Sequence, residues 1–380
     1  MAPDGPLDEP STDGPGTVML EAVPRVRAVL RDLLRHGLQR VTTGTGVELA
    51  AASQWAHHAR LTRVERELMA LQAQVDKYLA RDPLFRTDAF VDRVNRLAWR
   101  LAEIEHHLSD GRTADELVPL VGVPRRRYEP IDGELLVVAV ALRTWVSDTG
   151  FMGVTAQLWA PEEERMVEVG LARPTDYFGT DPSRLVFQLL NDAIGVSMQE
   201  LSHGAWHLEG IKLSADGRIS LPGDAWARPA ASPLSDALAS LRCDDLLQVV
   251  DRLMDDVLTP IDGGGGAWVY LEPAAIGPRR VDDTRTEATA TLVDRRGAEA
   301  LLRVPLGAER AQQVENLDHL SRPDTRPDGL VVQARVVGDA LHLEPVTAVF
   351  HDAVQLKQRR RTLEVQLVHL AAEPLGMVRR

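Results

Sequence analysis

The sequence predicts an α+β protein, with an N-terminal antiparallel helical bundle followed by one or two small β-rich antiparallel domains and intervening helices. Three observations predict it. Up to Leu108 the apolar residues recur at three- and four-residue steps, the spacing that lines one face of a helix. From Glu134 onward the texture changes to short runs of β-branched and aliphatic residues. Between two such runs stands Asp216-Gly217, the dipeptide that tight hairpins favour because glycine accepts the left-handed backbone. The domain organisation follows as a disordered tail over 1–16, a helical bundle over 17–122, a β-rich domain over 130–226, and a mixed α+β domain with a C-terminal hairpin over 234–380.

The bundle begins with a helix from about Val18 to Gln39, whose expected stripe is Leu20, Val23, Leu30, Leu34 and Leu38. Pro24 leaves a later start open, since proline suits a first turn better than an interior. Thr42-Thr43-Gly44-Thr45-Gly46 then breaks the pattern, because glycine and threonine both disfavour continuation. A second helix covers about Val47 to Ala59. Thr62 and Glu65 have the capping-box spacing and open a third, with Val64, Leu68, Leu71 and Val75 inward. Asp82-Pro83 and Thr87-Asp88 mark the start of a fourth, which buries Phe90, Val94, Leu97, Leu101, Ile104 and Leu108. Short connections make the packing antiparallel, and the apolar stripes carry no acid or histidine.

After the linker Pro124-Arg125-Arg126-Arg127, strands are expected over Glu134–Val146, Phe151–Trp159 and Glu164–Leu171. A helix is expected from Asp181-Pro182 to about Gln199, and a hairpin from Trp206–Leu213 to Arg218–Leu221. Ala227 to Pro233 is a linker, and Leu234 to Leu258 reads as one amphipathic helix. Gly263 to Gly266 precede a strand rather than a helix and so form a connector, not a phosphate cradle. Strands near Ala288–Val293 and Ala300–Val304, a helix near Glu309–Leu320, and a hairpin Leu330–Val337 with Ala340–Pro345 complete the reading. Phe350 to Leu370 fits helix or strand.

Composition narrows the function classes. The 380 residues are 44% hydrophobic and 26% charged, with a formal net charge of -13. That charge gives no electrostatic help against a phosphate backbone, so nucleic acid is expected to be an unlikely partner. Cys243 is the single cysteine and excludes an internal disulfide or a multi-cysteine metal site. No window approaches the roughly 18 apolar residues of a membrane span, and the first residues lack a signal-peptide pattern. The expected compartment is the cytoplasm, with no membrane partner.

No constellation stands out as catalytic. His203 and His207 are four apart, yet Gly204 stands where a zinc protease helix needs glutamate, and the pair straddles the start of a strand. Carboxylate pairs such as Asp244–Asp245 and Asp255–Asp256 are adjacent and point apart. His106–His107 reads as a favourable cation position at a helix end. No catalytic, cofactor or metal residue is assigned. Basic residues supply the one candidate contact set, Arg25, Arg31 and Arg35 on the first helix with Lys357, Arg359, Arg360 and Arg361 near the last hairpin. Beside Leu330–Pro345, viewed as a small barrel face, that second cluster could follow a nucleic-acid strand.

Three segments, Tyr78 to Phe85, Leu208 to Leu221 and Gly329 to Val346, together resemble the region after the zinc finger in bacterial SWIM zinc finger proteins. The Cys-x-Cys and Cys-x-His ligands of that family are absent, so zinc binding is not implied. The resemblance implies an accessory protein of a kind often encoded beside an AAA-type ATPase and a von Willebrand A-type protein. The leading expectation is therefore a non-enzymatic cytosolic adaptor that binds other proteins. A nucleic-acid-binding accessory protein and an enzyme with a dispersed site are the alternatives. Cofactors are not expected, and the sequence leaves the oligomeric state open.

Overall fold

The computed structural model describes residues 15–379 other than 83–84, 86, 115, 123–127, 148–149, 176–180, 192–193, 215, 232–233, 256–265, 282–285, 338–339, 352–354, 357–365 and 376–377. The tail expected over 1–16 lies outside the described residues as far as residue 14, as do the arginines of the 124–127 linker and the first three glycines of the 263–266 run. The chain is a mixed α+β protein, and its described residues fall into two compact units, one helical and one dominated by strands.

The helical unit contains α1 (Pro15–His36), α2 (Thr43–His58), α3 (Thr62–Leu79), α4 (Thr87–Ser109) and the single turn α5 (Val118–Val121). Packing runs α1 to α2 to α3 to α4 and back to α1. The α3 and α4 stripes are buried as their periodicity requires, from Val64 to Val75 and from Phe90 to Leu108. Each fully buried aliphatic side chain there contributes about 1.5–3 kcal/mol. The face of α1 differs from the expected one. Met19, Val23, Val26, Leu30 and Leu33 point inward, while Leu20 and Leu34 are 42% and 53% exposed. Leucines occur on two faces of this helix, so spacing alone could not choose between them. Pro24 lies inside α1 at an exposed position, where water can satisfy the carbonyl it leaves unbonded. The Thr42–Gly46 segment does not break structure. Thr42 and Thr45 form a reciprocal capping box, so α2 starts at Thr43. His107 and Arg100 are buried within this unit, contrary to the expectation of stripes free of histidine. Arg100 donates from Nη1 to the carbonyl of Leu120 at 2.8 Å and so ties α5 to α4.

In the second unit the strands are β1 (Tyr128–Pro130), β2 (Glu134–Val146), β3 (Phe151–Ala160), β4 (Arg165–Pro174), β5 (Ala205–Glu209), β6 (Lys212–Ser214), β7 (Ile219–Ser220) and β8 (Trp226–Ala230). The meander β2-β3-β4 is antiparallel throughout, and β5 pairs with β2 and with β8. A bend at 131–133 makes β1 and β2 one long strand facing the β5–β6 arm, since β1 pairs with β6. Gly217 takes φ +80° in the β6–β7 turn, and a parallel bridge from Glu168 to Arg218 brings that hairpin back against β4. Between β4 and β5 come a 3-10 helix, Pro182–Phe187, and α6 (Met198–Leu201). Among the described residues the longer helix expected to Gln199 does not form, because Asn191 accepts from the Ile194 amide at 2.7 Å and Gly195 takes φ +64°. Both features favour a turn over helix continuation.

The same order repeats. The expected helix over Leu234–Leu258 is broken into α7 (Leu234–Leu241) and α8 (Leu246–Asp255), because the Asp245 side chain accepts from the Gln248 amide and starts a new helix. Then come β9 (Ala267–Leu271), β10 (Ala275–Ile276), β11 (Arg280–Val281), β12 (Glu287–Val293), β13 (Glu299–Pro305), α9 (Ala311–His319), β14 (Gly329–Val337) and β15 (Ala340–Phe350). The path through this sheet is β10-β12-β13-β15-β14-β9, with β13 and β15 parallel at Leu301–His342 and Leu302–Leu343. Because β9 and β10 are successive pieces of one arm, the sheet closes on itself. Two short strands, β16 (Gln355–Leu356) and β18 (Val378–Arg379), pair with each other, and β17 (Gln366–His369) adds to β15.

Each set therefore has a meander of three strands, a helical connection, a hairpin that returns beside the first strand, and a parallel contact between third and fifth. That is the Greek-key barrel of the OB-fold, present twice. The barrels share an apolar seam in which Val138, Val140 and Ala141 of β2 meet Val331, Val346 and Val349 of β14 and β15, beside Leu238 and Leu241 of α7.

Candidate nucleic-acid interface

The sequence-derived basic residues are not gathered into one site. Arg25, Arg31 and Arg35 are exposed along α1. Lys357, Arg359, Arg360 and Arg361 lie outside the described residues. The structure instead assembles a different arginine set on the outer face of the second barrel, from positions far apart in the chain.

Its centre is Glu344 on β15, 5% exposed. Strand alternation puts Glu344 and His342 on the outward face, opposite Gln333 and Arg335 of β14 in the antiparallel register. Arg310, from the turn before α9, donates from Nη1 to Glu344 Oε1 at 2.7 Å and to Gln313 Oε1 at 2.9 Å. Arg143 reaches over from β2 of the first barrel, with Nη2 at 3.4 Å from Glu344 Oε2. Burial alone would raise the Glu344 carboxyl, but the guanidiniums of Arg143, Arg310 and Arg335 overcome it and hold the group below the usual carboxylate range. Arg143 is lowered, by burial first and then by repulsion from Arg310 and Arg335 against the pull of Glu344. Arg143, Arg310 and Arg335 thus act on the one carboxylate of Glu344, with Glu168 a further carboxylate acting on Arg143. On the adjoining β13, Arg303 pairs with Glu287 at 3.0 Å. The Nε atoms of Arg143 and Arg303 are buried with no acceptor among the described residues.

Next to Arg143 on the same face of β2 stands Trp145. Its Nε1 donates to Thr155 Oγ1 at 3.1 Å, and a Cβ on Gly153 of β3 would overlap the indole. Across the register, Thr155 faces Gly170 and Gly153 faces Ala172, and both β4 residues are exposed. The result is a shallow floor of small residues beside an aromatic ring and a guanidinium.

A second polar cluster joins the barrels through residues 366–375. His369 is fully buried, donates from Nε2 to the Ser202 carbonyl at 2.7 Å, and bonds the Thr347 hydroxyl through Nδ1 at 3.0 Å. His203 faces the Gln199 carbonyl at 2.7 Å and the Glu373 carboxylate at 3.1 Å. Burial would raise Glu373, yet hydrogen bonding and charge from His203, with the charge and amide of His369, lower it to about 2. These are residue types of acid–base catalysis, but every polar contact described here serves the join between elements. Two clefts of about 400 and 420 Å3, at Val138–Trp159–Asp236 and at Asp32–Arg40–Glu48, are lined by none of them. His207, the other member of the sequence pair, bonds Glu134 instead at 3.2 Å. Among the described residues no group of three or more His, Cys, Asp or Glu could hold a metal ion, and no helix is long and apolar enough to cross a membrane. Cys243 is buried, and burial raises its thiol.

No protein-family model and no curated protein matches the chain. Among solved structures it is similar to one described as p202 HIN1 in complex with 12-mer dsDNA, with a TM-score of 0.31 and 10% identity, over 60% of this chain and 94% of that one. The expectation that nucleic acid is an unlikely partner is corrected by this finding, because that neighbour is a protein–DNA complex. At that TM-score the likeness carries nothing further to this chain.

Proposed function

We propose that the chain is a nucleic-acid-binding accessory protein of the cytoplasm, which holds a single strand along the outer face of its barrel pair. The observation that supports it best is the ring of Arg143, Arg310 and Arg335 around Glu344 on an OB-type barrel. Net charge argues about the whole molecule, whereas a phosphate responds to the local excess within about a Debye length. Barrels of this type take oligonucleotides on the face of their second and third strands, and here Arg303 extends the arginine set onto that face. Arg25, Arg31 and Arg35 offer a further exposed basic row on α1.

The test is fluorescence anisotropy with a labelled oligo-dT at two salt concentrations. Wild-type protein binds at low salt and weakens as salt rises. Arg335→Ala, which removes a guanidinium and leaves the Glu344 bonds to Arg143 and Arg310 in place, weakens binding about five- to tenfold and reduces the salt slope by about one. Absence of binding at low salt sinks this reading.

A second reading is an adaptor that acts through protein contacts, working with an AAA-type ATPase and a von Willebrand A-type protein. It is supported by the SWIM-like segments and by large apolar side chains at the helical surface, Leu20, Leu34, Val47 and Met69. A pull-down from native lysate that returns no specific partner removes it.

A further inference from the structure

We propose that Trp145 is a base-stacking platform, with Arg143 beside it as the phosphate contact for the same nucleotide. The proposal rests on the nucleic-acid reading and deepens it, since it assigns the base to one ring of the first barrel.

Five observations carry it. The indole crosses β3 at Gly153, where the missing Cβ lets the ring lie against the backbone. Its one donor, Nε1, is spent on Thr155 at 3.1 Å, which fixes the ring's azimuth. With no donor left, the ring can offer a ligand only its π surface. Trp145 is half-buried and so keeps part of that surface in solvent. Beyond it, Gly170 and Ala172 are exposed and project nothing that would block a neighbouring nucleotide. Finally, Arg143 lies two residues earlier on the same face of β2, keeps 26% of its side chain exposed, and has Nη2 3.4 Å from Glu344. Aromatic faces accept any base and guanidiniums accept any phosphate, so the pair suits a single strand without sequence preference. A duplex hides its bases and could use only the arginine.

The competing reading is that Trp145 merely shields the sheet. The two are separated by comparing a labelled oligo-dT of about 12 nucleotides with an abasic deoxyribose-phosphate strand of equal length, both against the full chain at low salt. Wild-type protein is expected to prefer oligo-dT about tenfold. Trp145→Leu lowers the oligo-dT affinity to the abasic level and leaves the abasic affinity unchanged. Trp145→Tyr keeps an aromatic face and retains part of the preference. Gly153→Ala, which pushes the ring off β3, behaves like Trp145→Leu while the tryptophan itself is kept. Equal wild-type affinity for the two strands overturns the platform and leaves the nucleic-acid reading standing, as does equal loss for both strands in Trp145→Leu. Failure to bind either strand overturns both.

Discussion

The two barrels share a strand order and a device, a glycine lying under an aromatic ring, but they load that device differently. In the first barrel Gly153 lies under Trp145, which is half-buried and, among the described residues, bonds a neighbouring threonine. In the second, a Cβ on Gly329 would overlap Tyr270, which is 2% exposed. The Tyr270 hydroxyl bonds His351 Nε2 at 2.9 Å and Glu272 at 3.3 Å, and burial, with Glu272 adding to it, holds the phenol well above its ordinary value. One ring is locked into the seam and the other faces outward. A shared topology therefore does not share function evenly. The second barrel contributes most of the arginines, and the first contributes the aromatic surface.

The largest effect should come from the carboxylate at the centre of the arginines. Glu344→Ala leaves buried guanidiniums facing each other and is expected to destabilise the strand unit by about 3–5 kcal/mol, read as a lower urea midpoint. The first-barrel counterpart is Glu168, bonded to Gln157 and Arg218 but 28% exposed at its side chain. Its alanine variant should cost only about 1 kcal/mol. Equal losses would remove the electrostatic contrast between the barrels.

Next is the joint between them. Glu373 is lowered from 4.5 to about 2 in the folded chain, so the folded state binds fewer protons than the unfolded state in that range. Its contribution is fully present above pH 4.5 and is lost as pH falls toward 2. Over that window it amounts to about 3 kcal/mol. Unfolding followed from pH 6 down to pH 2 should show this loss in wild type and a flatter profile in Glu373→Gln. An unchanged profile would mean that the His203–Glu373 contact does not hold the barrels.

Parts of this were legible in the chain. The Asp216-Gly217 turn closes its hairpin as its backbone preference requires. Long helices were over-read where one polar side chain cut the pattern, at Asn191 and Asp245, because a local cap competes with an apolar stripe that would otherwise continue. The barrels' closure was not legible, since the parallel contact of β13 with β15 has no turn to announce it. The site was hidden for the same reason. Arg143, Arg303, Arg310 and Arg335 mean nothing together until topology places them, whereas the consecutive run Lys357–Arg361 draws the eye.

Gly329→Ala follows in size. The added methyl meets a ring enclosed on all sides that the seam cannot spare, so overpacking should cost about 1–3 kcal/mol and loosen the Tyr270–His351 contact. Thermal unfolding of the full chain measures the first, and the His351 ring resonances report the second.

The smallest stability effect is expected from Gly153→Ala, and its size decides what Trp145 is for. The added methyl collides with the indole as it would with Tyr270, but the indole can swing toward solvent. A loss below about 1 kcal/mol would show that the ring is not needed to hold the first barrel together. Its fixed position over β3 would then have no purpose in folding, and a ligand would be left as the reason to fix it. A loss matching that of Gly329→Ala would instead make the two aromatics equivalent packing elements, and the contrast between the barrels would reduce to their arginines alone.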